Sequence, residues 1–417
     1  MRFKWPLFNL LLIATVGAIL RLAFVMELPW LEYSHFLHAH SHLAILGWGF
    51  LGLSLLLQNT LLPEDKRQKK SYKRIFYGAL FSLWGMFIAF LLQNYGPFSI
   101  GFSTFFLLWS YAFVWHFWRD LPKGKASVSK LFIRSALLFY LFSTLALWAL
   151  PVINILKLHG HPIYYMSIQF FLHFQFNGWF LFAIPGLFFK LAEMQHIRLS
   201  PNDLRRYWQL LLISCFLTYA LAVTWTTPVS FIFWINSLGV LLQLAALYFL
   251  LKALRPVMPQ IKALLSPQSR RLLSVALTSY ILKILIQTVV VIPHVAVIAY
   301  TVRNYVIGFI HLILLGVLTS FILSYAGFRQ MIPAERTLTR RGVQLFVIAF
   351  VSMEILLFLQ GTLFWANLGF LPYYYELIFG FSALLPIAIG MILLGLVSSK
   401  SPLISLETTP PFFPEKD

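Results

Sequence analysis

The chain has 417 residues, of which 60% are hydrophobic, 18% aromatic and only 11% charged, with a net charge of +19. A soluble globular protein carries about 25% charged residues, so this composition excludes an ordinary water-facing surface. The single cysteine, Cys215, excludes a disulfide framework and stands inside an apolar run, as a small packing residue does.

Twelve apolar segments follow one another: 5–27, 38–60, 75–95, 98–118, 130–150, 162–189, 207–226, 230–251, 272–292, 300–327, 342–366 and 375–397. Each is long enough to cross a hydrocarbon layer of about 30 Å. The first has the basic start of a signal peptide, but it is full length and lacks a small-residue cleavage site, so it reads as a retained span. The connection after the second span, "PEDKRQKKSYKR", is strongly basic. So are "RDLPKGKASVSK", "KLAEMQHIRLSPNDLRR", "KALRPVMPQIKALLSPQSRR" and "RQMIPAERTLTRR". The alternate connections are nearly free of Lys and Arg, apart from Lys157 and Arg303. The positive-inside rule then places both termini and all basic loops in the cytoplasm. The positive charge is a topology signal and not a nucleic-acid surface. The reading is an all-α polytopic membrane protein, with one twelve-helix domain over 1–400 and a Pro-rich, disordered cytoplasmic tail over 401–417. Short loops and no targeting segment point to a bacterial cytoplasmic membrane. No internal repeat stands out.

This topology sorts the histidines. His35, His38, His40 and His42 fall at the outer end of span two, and His159 and His161 at the outer end of span six, in "LKLHGHPIYY". His173 is deeper in span six, in "FLHFQFNGWF". His294 lies in the outer loop before span ten, and His311 lies inside span ten, in "NYVIGFIHLILLG". Only His116 and His196 fall on the cytoplasmic side. His173 lies 17 residues before Lys190 and His311 lies 18 before Arg329. At the helical rise both are about 26 Å above the inner boundary. Spans two, six and ten therefore present histidines in one outer layer. Ionisable groups in a bilayer usually face a bundle interior or a functional cavity. The plainer alternatives are a hydrogen bond between helices for one such histidine, and an interfacial patch for the cluster.

Imidazole is the commonest metal ligand and an axial ligand of haem. A six-coordinate haem needs two histidines on facing helices, an apolar slot and cations for its two carboxylates. Trp48, Phe50, Phe170, Phe171, Phe174, Trp179 and Phe309 neighbour the histidines, although most such aromatics simply pack. Arg303, at the outer start of span ten, and Arg21, near the outer end of span one, are the candidate carboxylate partners.

Twelve spans with histidines on the second, sixth and tenth resemble the catalytic subunit of the haem-copper oxidase superfamily, which includes the nitric oxide reductases. "LHAHSHLAILGW" is similar to the family's span-two motif, where a Leu-His pair opens the segment. That match favours His38, whereas depth favours His42. The two are four residues apart and share a helix face, while His40 points elsewhere. "HFQFNGWF" is similar to the reductases' span-six motif, with His173 in place and Asn177 at the position of a glutamate. "YVIGFIHLIL" resembles the span-ten motif of two histidines separated by one residue. Phe309 replaces the first of these, and His311 remains. The resemblance implies a low-spin haem b between His311 and His38 or His42, with Arg303 near its carboxylates. It also implies copper or non-haem iron as a second metal. The His-His pair that span seven should give that metal is absent from "WQLLLISCFLTYALAVTWTTPVSF". That metal would keep one protein ligand, His173, too few for a copper or iron centre; His40 and His161 are the other candidate metal ligands. His173 could instead hydrogen-bond to Asn177, one turn later. "GHPIYY" echoes the Gly-His-Pro of the oxygen-reducing members, displaced to the rim.

Glu354 in span eleven and Lys283 in span nine are the clear intramembrane charges, readable as proton-transfer groups or as structural ones. The function implied is respiratory electron transfer or oxygen or nitric oxide chemistry with a degenerate dinuclear site. Its partners would be the lipid bilayer, a small redox protein or quinol as electron donor, and an additional membrane subunit. The competing reading is a non-enzymatic metal or haem transporter, or a nitric-oxide-stress membrane protein, with metal held by His35, His38 and His40.

Overall fold

The computed structural model describes residues 2–124 and 127–398. The tail over 401–417 lies outside the described residues. Among those described, all regular structure is helical. Eleven helices are long and apolar enough to cross a membrane. In the labels used below they are α1 (Lys4–Leu22), α2 (Tyr33–Leu61), α3 (Lys70–Gln93), α4 (Pro97–Asp120), α5 (Val128–Ile155), α7 (Pro201–Thr224), α8 (Ser230–Leu254), α9 (Pro267–Val289), α10 (Arg303–Phe328), α11 (Thr337–Trp365) and α12 (Tyr374–Val397). Residues 162–194 form a further unbroken helix, α6. It stands outside the eleven because Gln169, His173, Gln175 and Asn177 make its middle polar. Exposed apolar side chains such as Phe81, Leu92, Trp115, Ile155 and Trp234 cover the outer helix faces. In water that surface would be an aggregation liability; around a polytopic helical membrane protein it meets lipid.

The helix starts are written in the sequence. Ser127, Ser200 and Ser266 cap α5, α7 and α9, each side-chain oxygen accepting a backbone N–H three residues on. Pro201 and Pro267 occupy the first turn, where a missing N–H costs nothing. Ion pairs knit the basic-loop side: Lys69 and Lys66 with Asp120 at 2.8 and 3.5 Å, and Lys252 with Asp203 at 3.2 Å.

Neighbours in space form three arcs. One runs α11, α12, α1, α2; a second α3, α4, α5, α6; a third α7, α8, α9, α10. The last helix of each arc lies innermost, and α2 touches both α6 and α10. These three inner helices share a feature not apparent by eye in the sequence. Each turns π-helical directly after a histidine: Leu43–Phe50 after His42, Phe174–Phe180 after His173, and Leu312–Thr319 after His311. Each π segment carries a glycine five residues past that histidine, namely Gly47, Gly178 and Gly316. At each glycine the preceding helix comes close. A Cβ there would stand 3.2 Å from Asn9 Nδ2 of α1, 2.6 Å from Phe139 Cγ of α5, or 2.7 Å from Phe350 Cζ of α11 with Ser279 of α9 closer still. The arcs are thus three variants of one four-helix pattern. Trp48 Nε1 of α2 donates to Thr319 Oγ1 of α10 at 2.8 Å and joins two of the π segments.

The close approach at Gly178 gives a stability prediction. Gly178→Val is expected to cost about 1–3 kcal/mol through overpacking against the Phe139 ring. The check is the unfolding midpoint in detergent; an unchanged midpoint would mean that α5 and α6 are not in this contact.

Candidate functional site

The histidine cluster lies in the first ten residues of α2, at the end of the span where the sequence places it. The helix begins at Tyr33, so all four rings are held by helical backbone. Residues two apart on a helix point in nearly opposite directions, and the cluster therefore splits.

His38 and His42 turn toward α3 and the α3–α4 connection. The His42 ring centroid is 4.3 Å from that of Phe90, and the His38 centroid is 4.7 Å from that of Tyr95. His42 Nδ1 donates to the His38 carbonyl of its own helix at 2.9 Å. His35 Nδ1 donates to the Leu91 carbonyl at 3.1 Å.

His40 turns the other way, toward α1. Its Nδ1 donates to the Ile13 carbonyl at 2.9 Å, which fixes the ring and points Nε2 away from α1's backbone. Gly17 makes room for it: a Cβ there would stand 3.0 Å from His40 Cε1. His40 is within electrostatic reach of His311 on α10 and of Arg21 on α1. Among the described residues His40 Nε2 makes no hydrogen bond, and neither does either nitrogen of His311, whose Nδ1 is buried without a partner. Both rings are partly buried, in the space between α1, α2 and α10.

The charges around that space are unbalanced. Arg21 lies within electrostatic reach of Arg303, Glu354, Tyr33 and Tyr374. Among the described residues no ion pair includes Arg21, Arg303 or Glu354. Both Glu354 oxygens are buried without a hydrogen-bond partner. Asn304 Nδ2 donates to Tyr374 Oη at 2.8 Å and closes the outer side. Arg303, Arg21 and His311 thus belong to one region, on α1, α2 and α10 with α11 and α12 behind.

The second group of polar residues is separate. On α6, His173 Nε2 donates to the Cys215 carbonyl of α7 at 2.7 Å, and Asn177 Nδ2 donates to His173 Nδ1 at 3.3 Å. Lys283 on α9, fully buried, donates to Asn177 Oδ1 at 2.8 Å and to Gln243 Oε1 of α8 at 3.3 Å. The His173–Asn177 hydrogen bond, raised as the alternative to metal binding, is therefore present. Lys283 and Gln243 as its continuation were not visible in sequence; an isolated lysine and glutamine on separate spans carry no spacing signal.

The metal set His173, His40 and His161 does not converge. His161 caps the start of α6, its Nδ1 accepting from Ile163 N at 3.3 Å, and it is exposed. Twelve residues of helix, about 18 Å, separate it from His173. His40 is bonded to α1. Among the described residues no group of three or more His, Cys, Asp or Glu side chains is placed to hold a metal ion. Most of the aromatic residues near the histidines serve packing: Phe50, Tyr140 and Trp179 form one buried stack, and Phe174 packs on Phe139, Phe142 and Phe216.

Among the described residues, the α1–α2–α10 region presents two unengaged imidazole edges and two guanidinium groups, with the Glu354 carboxylate within electrostatic reach of Arg21. Compared with known proteins, the chain matches no family model and no curated protein.

Proposed function

We propose that this protein is a twelve-span haem protein of the bacterial cytoplasmic membrane, with both termini cytoplasmic, that carries electrons. The observation that supports this reading most strongly is the pairing of His40 with His311, each with an unengaged ring nitrogen, beside the surplus positive charge of Arg21 and Arg303. The likeness of three short motifs to the haem-copper oxidases adds to it. His40 and His311 would hold a low-spin haem b as axial ligands, and Arg21 and Arg303 would pair with its carboxylates. Such a group supplies a one-electron couple near the outer face. The chain's own contribution is orientation. The Ile13 carbonyl holds the His40 ring in one tautomer, as outer-shell acceptors do for ligating histidines. Gly17 leaves that ring its place, and the apolar helices exclude water. The electron donor in this reading is a quinol in the bilayer or a small redox protein at the outer surface.

The test is the absorbance of the purified protein. Sharp reduced-minus-oxidised bands of a six-coordinate haem b are expected, with no carbon monoxide adduct, and with the bands lost in His311→Ala. A colourless protein that retains zinc or copper through His35 and its neighbours would overturn the proposal in favour of metal transport. His35 and His40 bond to carbonyls of different helices, α3 and α1, which disfavours that alternative.

A charge test follows. Arg21→Leu is expected to lower haem retention about 10–100-fold, the range seen when partners that support a bound group are removed. Titration of the stripped protein with haemin reads it; unchanged affinity would remove Arg21 from the site.

A further inference from the structure

The polar chain on α6, α7, α8 and α9 has a direction. The Lys283 side-chain nitrogen donates to two acceptors. It forces the oxygen of Asn177 toward itself at 2.8 Å. The amide nitrogen of Asn177 must then face the other way, and it donates to His173 Nδ1 at 3.3 Å. A neutral imidazole has one lone pair, and this bond occupies it. The remaining nitrogen, Nε2, carries the proton and donates to the Cys215 carbonyl at 2.7 Å. Every hydrogen bond in the chain runs one way, from lysine to amide to imidazole to carbonyl. Gln243 Oε1 accepts a second lysine N–H at 3.3 Å.

We infer that this chamber is a metal-free lysine site, in which Lys283, through Asn177, holds the His173 lone pair away from any metal ion. A metal at His173 needs a free lone pair. Binding at Nδ1 would break the Asn177 bond and cost Lys283 its best acceptor. Binding at Nε2 would displace a proton from a short hydrogen bond. No further His, Cys, Asp or Glu side chains gather there to complete a metal site among the described residues. His173 is therefore a positioning residue that ties α6 to α7. The expectation of a copper or non-haem iron at this histidine gives way to a hydrogen-bonded chain of the protein's own side chains.

The experiment uses the full-length protein in detergent. It is incubated with excess copper(II), iron(II) or zinc(II) and desalted, and metals are counted by mass spectrometry. Haem is counted separately by absorbance, so failure of the haem reading and failure of this inference are distinguishable. Iron no greater than haem, with copper and zinc far below one per chain, is the expected result. A retained equivalent of copper, zinc or non-haem iron that His173→Ala loses would overturn the inference; one that His173→Ala keeps lies elsewhere and supports it. His173→Asn, which keeps a donor and an acceptor in place, serves if His173→Ala does not fold.

Discussion

Asn177→Leu is expected to destabilise the folded protein by about 3 kcal/mol, roughly the cost of stripping a buried charge of a principal hydrogen-bond partner. An ordinary interhelical hydrogen bond in a membrane protein contributes only about 0.6 kcal/mol, because the unfolded chain in lipid also finds partners. Lys283 is different. Its ammonium is fully buried, and with Asn177 gone its remaining bond is the longer one to Gln243. The His173 lone pair is orphaned at the same stroke. Lys283→Met alone is expected to cost less, since it removes the charge and leaves a neutral amide oxygen unsatisfied, about 1–3 kcal/mol. The double variant Asn177→Leu/Lys283→Met should be more stable than Asn177→Leu alone. It replaces a polar pair by apolar groups, and removing both partners of a buried interaction is often nearly neutral. Equilibrium unfolding in mixed micelles measures all three. Additive losses would mean that the two side chains do not form one unit.

The membrane character and most of the helix boundaries were legible because they rest on local signals: apolar runs, Ser-Pro helix starts and clusters of Lys and Arg. Direction around each helix was not. His38 and His42 share a face and His40 lies nearly opposite, a statement the helical period allows from sequence. Which face meets α1 and α10 depends on the order of helices in space, and no local signal encodes that. The motif likeness and the depth argument therefore both pointed at residues that face Phe90 and Tyr95. The threefold pattern was hidden for another reason. Its constant elements are a histidine and a glycine five residues later, and no residue between them is common to all three copies. The signal becomes plain only when the π segments and the close approaches at Gly47, Gly178 and Gly316 are seen together. The same limit concealed the lysine site, whose members come from four helices.

His40→Ala is expected to abolish the six-coordinate haem spectrum, while His38→Ala and His42→Ala leave it in place. This is the largest spectroscopic effect expected, because in the proposed reading His40 would hold the haem directly, whereas removal of a supporting group weakens binding about 10–100-fold. The difference rests on how each ring is held. His42 donates to its own helix and lies against Phe90, so its removal should loosen the α2–α3 packing without touching α10. His40 is anchored to the Ile13 carbonyl and reaches His311 and Arg21, so its loss opens the space on the α1 side. With one ligand gone, the group would bind carbon monoxide, which the intact pair excludes. Gly17→Val supplies an intermediate case. Its first added carbon would stand 3.0 Å from His40 Cε1, tight enough to displace the ring without deleting it, and shifted bands are expected in place of absent ones. Loss of the spectrum in His42→Ala with retention in His40→Ala would move the ligand to the α3 side. The charge imbalance at Arg21 and Arg303 would then need a different anion to explain it.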